Sequence, residues 1–310
     1  MSAPLLLFVY NRPDHTKATL KALSENIGIE DTVIHIFGDG PVSKAPKTLL
    51  DDIELVRKIV CNNEHSLNIE THFSDENNGL ANSIIGGVNE IINTHGEVIV
   101  LEDDLICSKY FLQYMNACLR KYKEESKIMH VGGYSPSINF KSKDDIYFLS
   151  FASSWGWATW KDRWKEFIID AEEIIDRMDK SGAKSKFNFY DSYPFYNMIQ
   201  QQINGDVDSW AIRWNATVFL NNGLGVYPTK SLVQNIGFDG SGVHSGKGRW
   251  YDVKTSQKFS PILGHLNIVE DEKVRRQYGQ FYKGLNSYSI WQKVKDKIKH
   301  EIKNAKGTSH

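Results

Sequence analysis

Short unbroken apolar runs alternate along the first hundred residues with longer segments whose apolar positions recur every three or four residues. Pro4 to Tyr10 (PLLLFVY), Thr32 to Phe37 (TVIHIF), the weaker Ile69 to Phe73 and Val98 to Leu101 (VIVL) are the runs. Their length and β-branched content predict strands buried on both faces, as in a parallel sheet. Between them, Leu20, Leu23 and Ile27 mark one helical stripe, and Leu49, Leu50, Ile53, Val56, Ile59 and Val60 a second. Ile84, Ile85, Val88, Ile91 and Ile92 mark a third. Strand and helix alternating in this way predict an α/β fold with a mostly parallel sheet flanked by helices.

Each predicted strand ends in polar or glycine-bearing residues: Asn11 and Arg12, then Asp39, then Asn78 and Gly79, then Glu102, Asp103 and Asp104. Right-handed crossovers place these ends along one rim, and ligands of open α/β sheets bind outside the carboxyl ends of the strands. The acidic triplet is the sharpest feature. Two unit charges about 4 Å apart repel by roughly 4 kcal/mol at an effective dielectric of about 20, so the cluster needs water, protons or a cation. Oxygen-only ligands suit Mg²⁺ or Mn²⁺. A solvated turn before the helix that starts near Phe111 fits the triplet alone equally well.

Farther on, Tyr110, Phe111, Tyr114, Met115, Cys118, Leu119 and Tyr122 trace a helix, and Ile128 to Val131 and Ile146 to Phe151 read as strands. Ala152 to Trp164 (ASSWGWATWKDRW) carries four tryptophans. Two of them suit an aromatic core, while Trp155 and Trp157, flanking Gly156, suit a site wall, because indole faces stack on sugar C–H surfaces. Asp170 to Asp179 predicts a helix, and Gly182 to Asn188 a basic polar loop. Asn204 to Trp214 (NGDVDSWAIRW) sets Asp206 and Asp208 beside Trp210. Gly225 to Gly246 offers a strand and a glycine-rich turn bearing His244, a residue type able to ligate metal or bond a phosphate.

Composition narrows the function classes. The 310 residues carry a net charge of −1 and no arginine-rich stripe, which argues against a nucleic-acid partner. No GxGxxG follows the first strand and no GxxxxGK[ST] occurs, so dinucleotide and P-loop chemistry lack support. Cys61, Cys107 and Cys118 have no metal-type spacing and read as thiols of a reducing compartment. No apolar run approaches ~20 residues and no signal-peptide pattern is visible, so the expected location is the cytoplasm. From Trp291 the tail carries six lysines against two acids, with Trp291, Val294, Ile298 and Ile302 on one face. It suits peripheral contact with the inner membrane face, and equally a solvated helix docked by its apolar side.

The ordered constellation of VIVLEDDLICSKYFLQYM, ASSWGWATW, DSWAIRW and NIGFDGSGVHSG resembles the GT-A glycosyltransferases, and among them the family 13 N-acetylglucosaminyltransferases. The resemblance covers roughly residues 4 to 250, in the style of a soluble bacterial relative. It implies a GT-A sheet with a nucleotide-sugar-binding half at 1–125, an acceptor-side catalytic half at 126–265 and a helical extension at 266–310. The implied activity is inverting transfer of a sugar, N-acetylglucosamine or a related hexose, from a nucleoside diphosphate donor, UDP by expectation. The acceptor would be a glycan or lipid-linked glycan. By position, Asp104 and His244 match metal ligands for Mn²⁺ or Mg²⁺, and Glu102 and Asp103 lie near the ribose and donor sugar. Arg12, Asp39, Asn78, Gly79, Trp155 and Trp157 fall on the nucleotide-sugar side. Asp208 matches the general base, with Asp206 the alternative because Ser209 separates Asp208 from the tryptophan. A sugar-nucleotide pyrophosphorylase and a non-catalytic carbohydrate-binding protein stay open beside this reading.

Overall fold

The computed structural model describes residues 2–140, 145–239, 253–256 and 267–285. Strands β1 (Leu5–Val9), β2 (Ile34–Gly38), β3 (Ile69–Phe73) and β4 (Glu97–Glu102) form on the four apolar runs of the N-terminal third. All four are parallel, in the order β3-β2-β1-β4. The intervening helices are α1 (Pro13–Ser24), α2 (Lys47–Asn62) and α3 (Leu80–His95). Pro13 begins α1 at a position where its missing N–H goes unused. Gly96, in the left-handed conformation, ends α3.

Beyond β4 the chain turns back through the short β5 (Leu105–Cys107) into α4 (Phe111–Lys121), then runs through β6 (Ile128–Gly132) and β7 (Ile146–Leu149). The tryptophan-rich segment supplies β8 (Trp157–Trp160). It slots antiparallel between β4 and β6, and with β9 (Leu224–Pro228) the eight-stranded order is β3-β2-β1-β4-β8-β6-β9-β7. A second ribbon pairs β10 (Val233–Asn235) with β5.

Helices cover both faces of the sheet. α1, α2 and α4 pack on one, through Leu20, Leu23, Val56, Val60, Phe111 and Met115. α3 packs on the other beside α5 (Lys161–Trp164) and α9 (Trp210–Leu220), around Trp157, Trp164, Trp210 and Trp214. At the β9-β7 end, α6 (Ala171–Ser181), α7 (Lys184–Phe187), α8 (Phe195–Ile203) and a helix over 272–285 build an aromatic cluster. The Gly182 to Asn188 stretch expected as a polar loop is therefore largely helical, anchored by the buried Phe187. The basic tail from Trp291 and the segment holding His244 lie outside the described residues. Among the described residues no helix is long and apolar enough to cross a membrane.

Candidate functional site

Register fixes where the strand ends meet. Glu102 stands level with Phe8 of β1, which stands level with Phe37 of β2, so the residues just beyond them share one rim. Arg12, at the cap position of α1, reaches across to the acids: Nη2 meets Asp103 Oδ1 at 2.5 Å and Nη1 meets Asp104 Oδ2 at 3.0 Å. Asp103 is 3% exposed and also accepts the Tyr10 N–H at 3.4 Å, while Thr19 Oγ1 donates to its carbonyl at 2.7 Å. One guanidinium thus faces two carboxylates in a poorly solvated place, where charge pairs are strong and unpaired charge is costly.

Burial, followed by the neighbouring Asp104 and Asp103, pushes the Glu102 carboxyl up to about 8. Burial likewise pushes Asp103 up to about 6, against the pull of Arg12. Three acidic side chains thus share the rim with one arginine. This donor set fits a hard divalent ion: the oxygens are carboxylate, the net charge is negative, and Arg12 engages only the Oδ2 oxygen of Asp104.

The opposite wall comes from the late segment. The antiparallel pairing of Asn235 with Leu105 continues into a bond from Ile236 N–H to the Asp104 carbonyl at 2.9 Å, which carries the next residues onto the acids. Gly237 follows. A Cβ there would lie 2.2 Å from Asp104 Oδ2 and 3.1 Å from Arg12 Nη1, so any other residue would force Asp104 or the loop to shift. Phe238 and Tyr134 each meet Trp155 in edge-type contacts, with ring centroids 5.6 Å and 4.6 Å away. His15 lies 3.5 Å from Asp239.

Asp39 organises the β2 and β3 end of the rim. Its Oδ1 accepts from Gly40 N–H at 3.0 Å and Asn78 N–H at 2.9 Å, and its Oδ2 accepts from Gly79 N–H at 3.0 Å. Gly79, at φ 77°, opens α3. Both carboxylate oxygens of Asp39 are thus committed to the backbone that shapes this loop.

The structure gathers Arg12, Glu102, Asp103, Asp104 and Trp155 with the 236–239 loop, and Asp39 with Asn78 and Gly79. Trp157 departs from the expected wall position. It is 0% exposed, and its indole stacks on Trp210 at 5.1 Å and near His130 at 5.8 Å inside the core. The two-residue alternation of β8 is the cause, because it turns Trp157 onto the face covered by α3 and α9. Asp208 lies just ahead of α9, 59% exposed, accepting from Arg213 Nη2 at 3.0 Å and Gln202 Nε2 at 3.2 Å. Ser209 between it and Trp210 caps the helix, accepting from Ile212 N–H at 3.3 Å.

No family model matches the sequence, and no curated protein matches it. Several solved structures resemble the fold. GalNAc-T7 with UDP, GalNAc and Mn²⁺ is 9% identical at a TM-score of 0.47, over 80% of this chain and 46% of that one. S. aureus TarS 1–349 is 13% identical at a TM-score of 0.42, over 75% and 60%. The mannosyltransferase PcManGT from Pyrobaculum calidifontis, in complex with GDP-Man and Mn²⁺, is 10% identical at a TM-score of 0.40, over 71% and 69%. The chain spans 24% of the longer TarS chain it also matches. All are distant, and the chemistry of the rim is read from this chain's own residues.

Several rim residues carried no signal of their own in the sequence. Thr19 lies in the middle of an amphipathic helix, and Tyr134 lies in an unpatterned stretch. Gly237 and Phe238 were visible only as part of a glycine-rich segment, which gave no hint of which glycine would touch the acids.

Proposed function

We propose that the protein is a metal-dependent glycosyltransferase of the GT-A type, binding a nucleoside diphosphate sugar at the rim described above and passing the sugar to an acceptor hydroxyl with inversion. The observation that carries the reading is the acidic triplet at the end of β4, with Arg12 across Asp103 and Asp104 and Gly237 pressed against Asp104. Such a place favours a divalent ion and a phosphate-bearing ligand over a bare neutral glycan. Asp104 would hold Mn²⁺ or Mg²⁺, with His244 as the proposed companion ligand. When bound, the ion supplies charge neutralisation for the departing diphosphate.

In this reading Arg12 steadies the two aspartates against each other and offers positive charge toward the diphosphate. Glu102 and Asp103 face the ribose and sugar, and Asp39 keeps the Asn78–Gly79 backbone shaped for the nucleotide. Trp155, braced by Tyr134 and Phe238, offers an indole face to the sugar. Asp208 is the proposed base. Its pairing with Arg213 and Gln202 holds the carboxylate in position to take a proton from the attacking hydroxyl at ~2.6–3.2 Å. UDP and N-acetylglucosamine are the proposed donor parts, and a glycan or lipid-linked glycan the proposed acceptor.

The test is product formation from a panel of nucleotide sugars and glycan acceptors with Mn²⁺. The Asp208→Asn variant is expected to bind donor like the wild type while losing turnover by ~10²-fold or more, the scale of a missing general base. Near-normal turnover in that variant would remove Asp208 from the mechanism and move the assignment to Asp206.

A further inference from the structure

A second group of potential metal ligands lies away from the acidic rim, at the β3 edge of the sheet. His35 of β2 and Glu70 and His72 of β3 point one ligand atom each into a common space, all within 4.8 Å of one another. His35 Nδ1 is 3.2 Å from His72 Nε2 and 3.3 Å from Glu70 Oε2. Four-coordinate zinc with bonds of about 2.0–2.1 Å has ligand-to-ligand edges of about 3.3 Å, so two of the observed spacings already match such a tetrahedron. A single proton can satisfy only part of this convergence of lone pairs. A cation satisfies all of it.

The surroundings hold these atoms in place. His72 stacks on Phe37 with ring centroids 4.4 Å apart, and its other ring nitrogen, Nδ1, faces Glu90 Oε1 of α3 at 3.4 Å. A carboxylate behind the distal nitrogen of a histidine is the usual means of fixing its tautomer and ring angle for a metal. His35 is anchored in the sheet with its side chain 5% exposed, whereas Glu70 is 61% exposed. The group is therefore rooted in the core on one side and open to solvent on the other, where water could complete the coordination. In register His35 is level with Leu6, two residues short of the Phe8 and Glu102 level, and β2 is separated from β4 by β1. The oxygen-only acids of the rim suit a hard ion, and this nitrogen-rich group suits a borderline one.

We propose that His35, His72 and Glu70 form a separate site for a divalent transition-metal ion, with Zn²⁺ the best match. Bound there, the ion ties edge strand β3 to β2 and, through Glu90, to α3. It does not depend on the glycosyltransferase reading.

The test uses tag-free full-length protein stripped with a chelator, with ZnCl₂ titrated by calorimetry and CoCl₂ followed by visible absorption. One equivalent of zinc is expected to bind to the wild type and equally to Asp104→Asn, with affinity reduced about tenfold or more in Glu70→Gln and in His72→Gln. Cobalt is expected to give the intense bands of a four-coordinate site in the wild type, a readout independent of how well any variant folds. Absence of saturable zinc binding, binding unchanged in both edge-strand variants, or a pale six-coordinate cobalt spectrum would each overturn the site. Loss of zinc binding in Asp104→Asn alone would assign the ion to the rim instead.

Discussion

Gly237 and Arg12 determine how closely the late loop can approach the acids. Most glycines in a loop of this kind are replaceable, but a methyl group at position 237 has no room beside Asp104 Oδ2. Gly237→Ala is therefore expected to lower global stability by only about 1–3 kcal/mol, the usual cost of overpacking, because the loop can lift. It is also expected to abolish the stabilisation that Mn²⁺ plus nucleotide sugar gives the wild type. Thermal melts with and without both ligands check this, and an unchanged ligand response in the variant would mean that the loop is not part of the site. Asp39 teaches a related lesson at the same scale. The sequence marks it as a polar strand end suited to a nucleotide, and the structure shows its carboxylate bonded to three backbone N–H groups. Residue type and strand position located the residue, but only the three-dimensional course of the 75–79 loop reveals what holds it.

Among the elements, the parallel half of the sheet was legible because its strands are continuous apolar runs separated by strongly periodic helices. β3 matches the predicted span, and β1, β2 and β4 fall within two residues of theirs. β8 was not legible. Its tryptophans read as part core and part site wall, and only the pairing with β4 and β6 turns Trp-Ala-Thr-Trp into a central strand with both faces covered. The same strand order explains a buried histidine. His130 of β6 is 0% exposed, stacks near Trp157 and accepts the indole N–H of Trp214 of α9 at 3.2 Å. Burial pushes its pKa down to about 3. Because the unfolded value is about 6.5, the unfolded chain binds the extra proton between those limits. Stability from this residue is therefore complete above about pH 6.5 and falls as the pH drops through the window. The expected loss is about 3 kcal/mol between about pH 7.5 and about pH 4.5. Urea unfolding at the two pH values checks it, with His130→Asn expected to lose that share of the pH dependence. An identical slope in the variant would show that the proton is taken up elsewhere.

At the scale of the whole molecule, the sheet brings parts far apart in the chain to one rim: the start of α1, the end of β4, the 155–156 turn and the 236–239 loop. The order of the motifs in the sequence was enough to suggest that they converge, since parallel crossovers put strand ends on one side. It could not reveal that Trp157 turns into the core, because facing is decided by the register of a strand that the pattern did not disclose. Nor could it place the Arg12 clamp, which joins residues more than ninety positions apart. Under the proposed function, this assembled rim binds a metal ion and a nucleoside diphosphate sugar together. The most direct measurement is a thermal-shift comparison of wild type and Asp104→Asn, with UDP-sugars and other nucleotide sugars in the presence of Mn²⁺ or EDTA. At about 100 times its dissociation constant a donor adds about 2.7 kcal/mol to the folded state. The prediction is a clear rise in melting temperature for the wild type with Mn²⁺ and one donor, lost with EDTA and lost in Asp104→Asn. Equal stabilisation of both proteins, or stabilisation unaffected by EDTA, would contradict it.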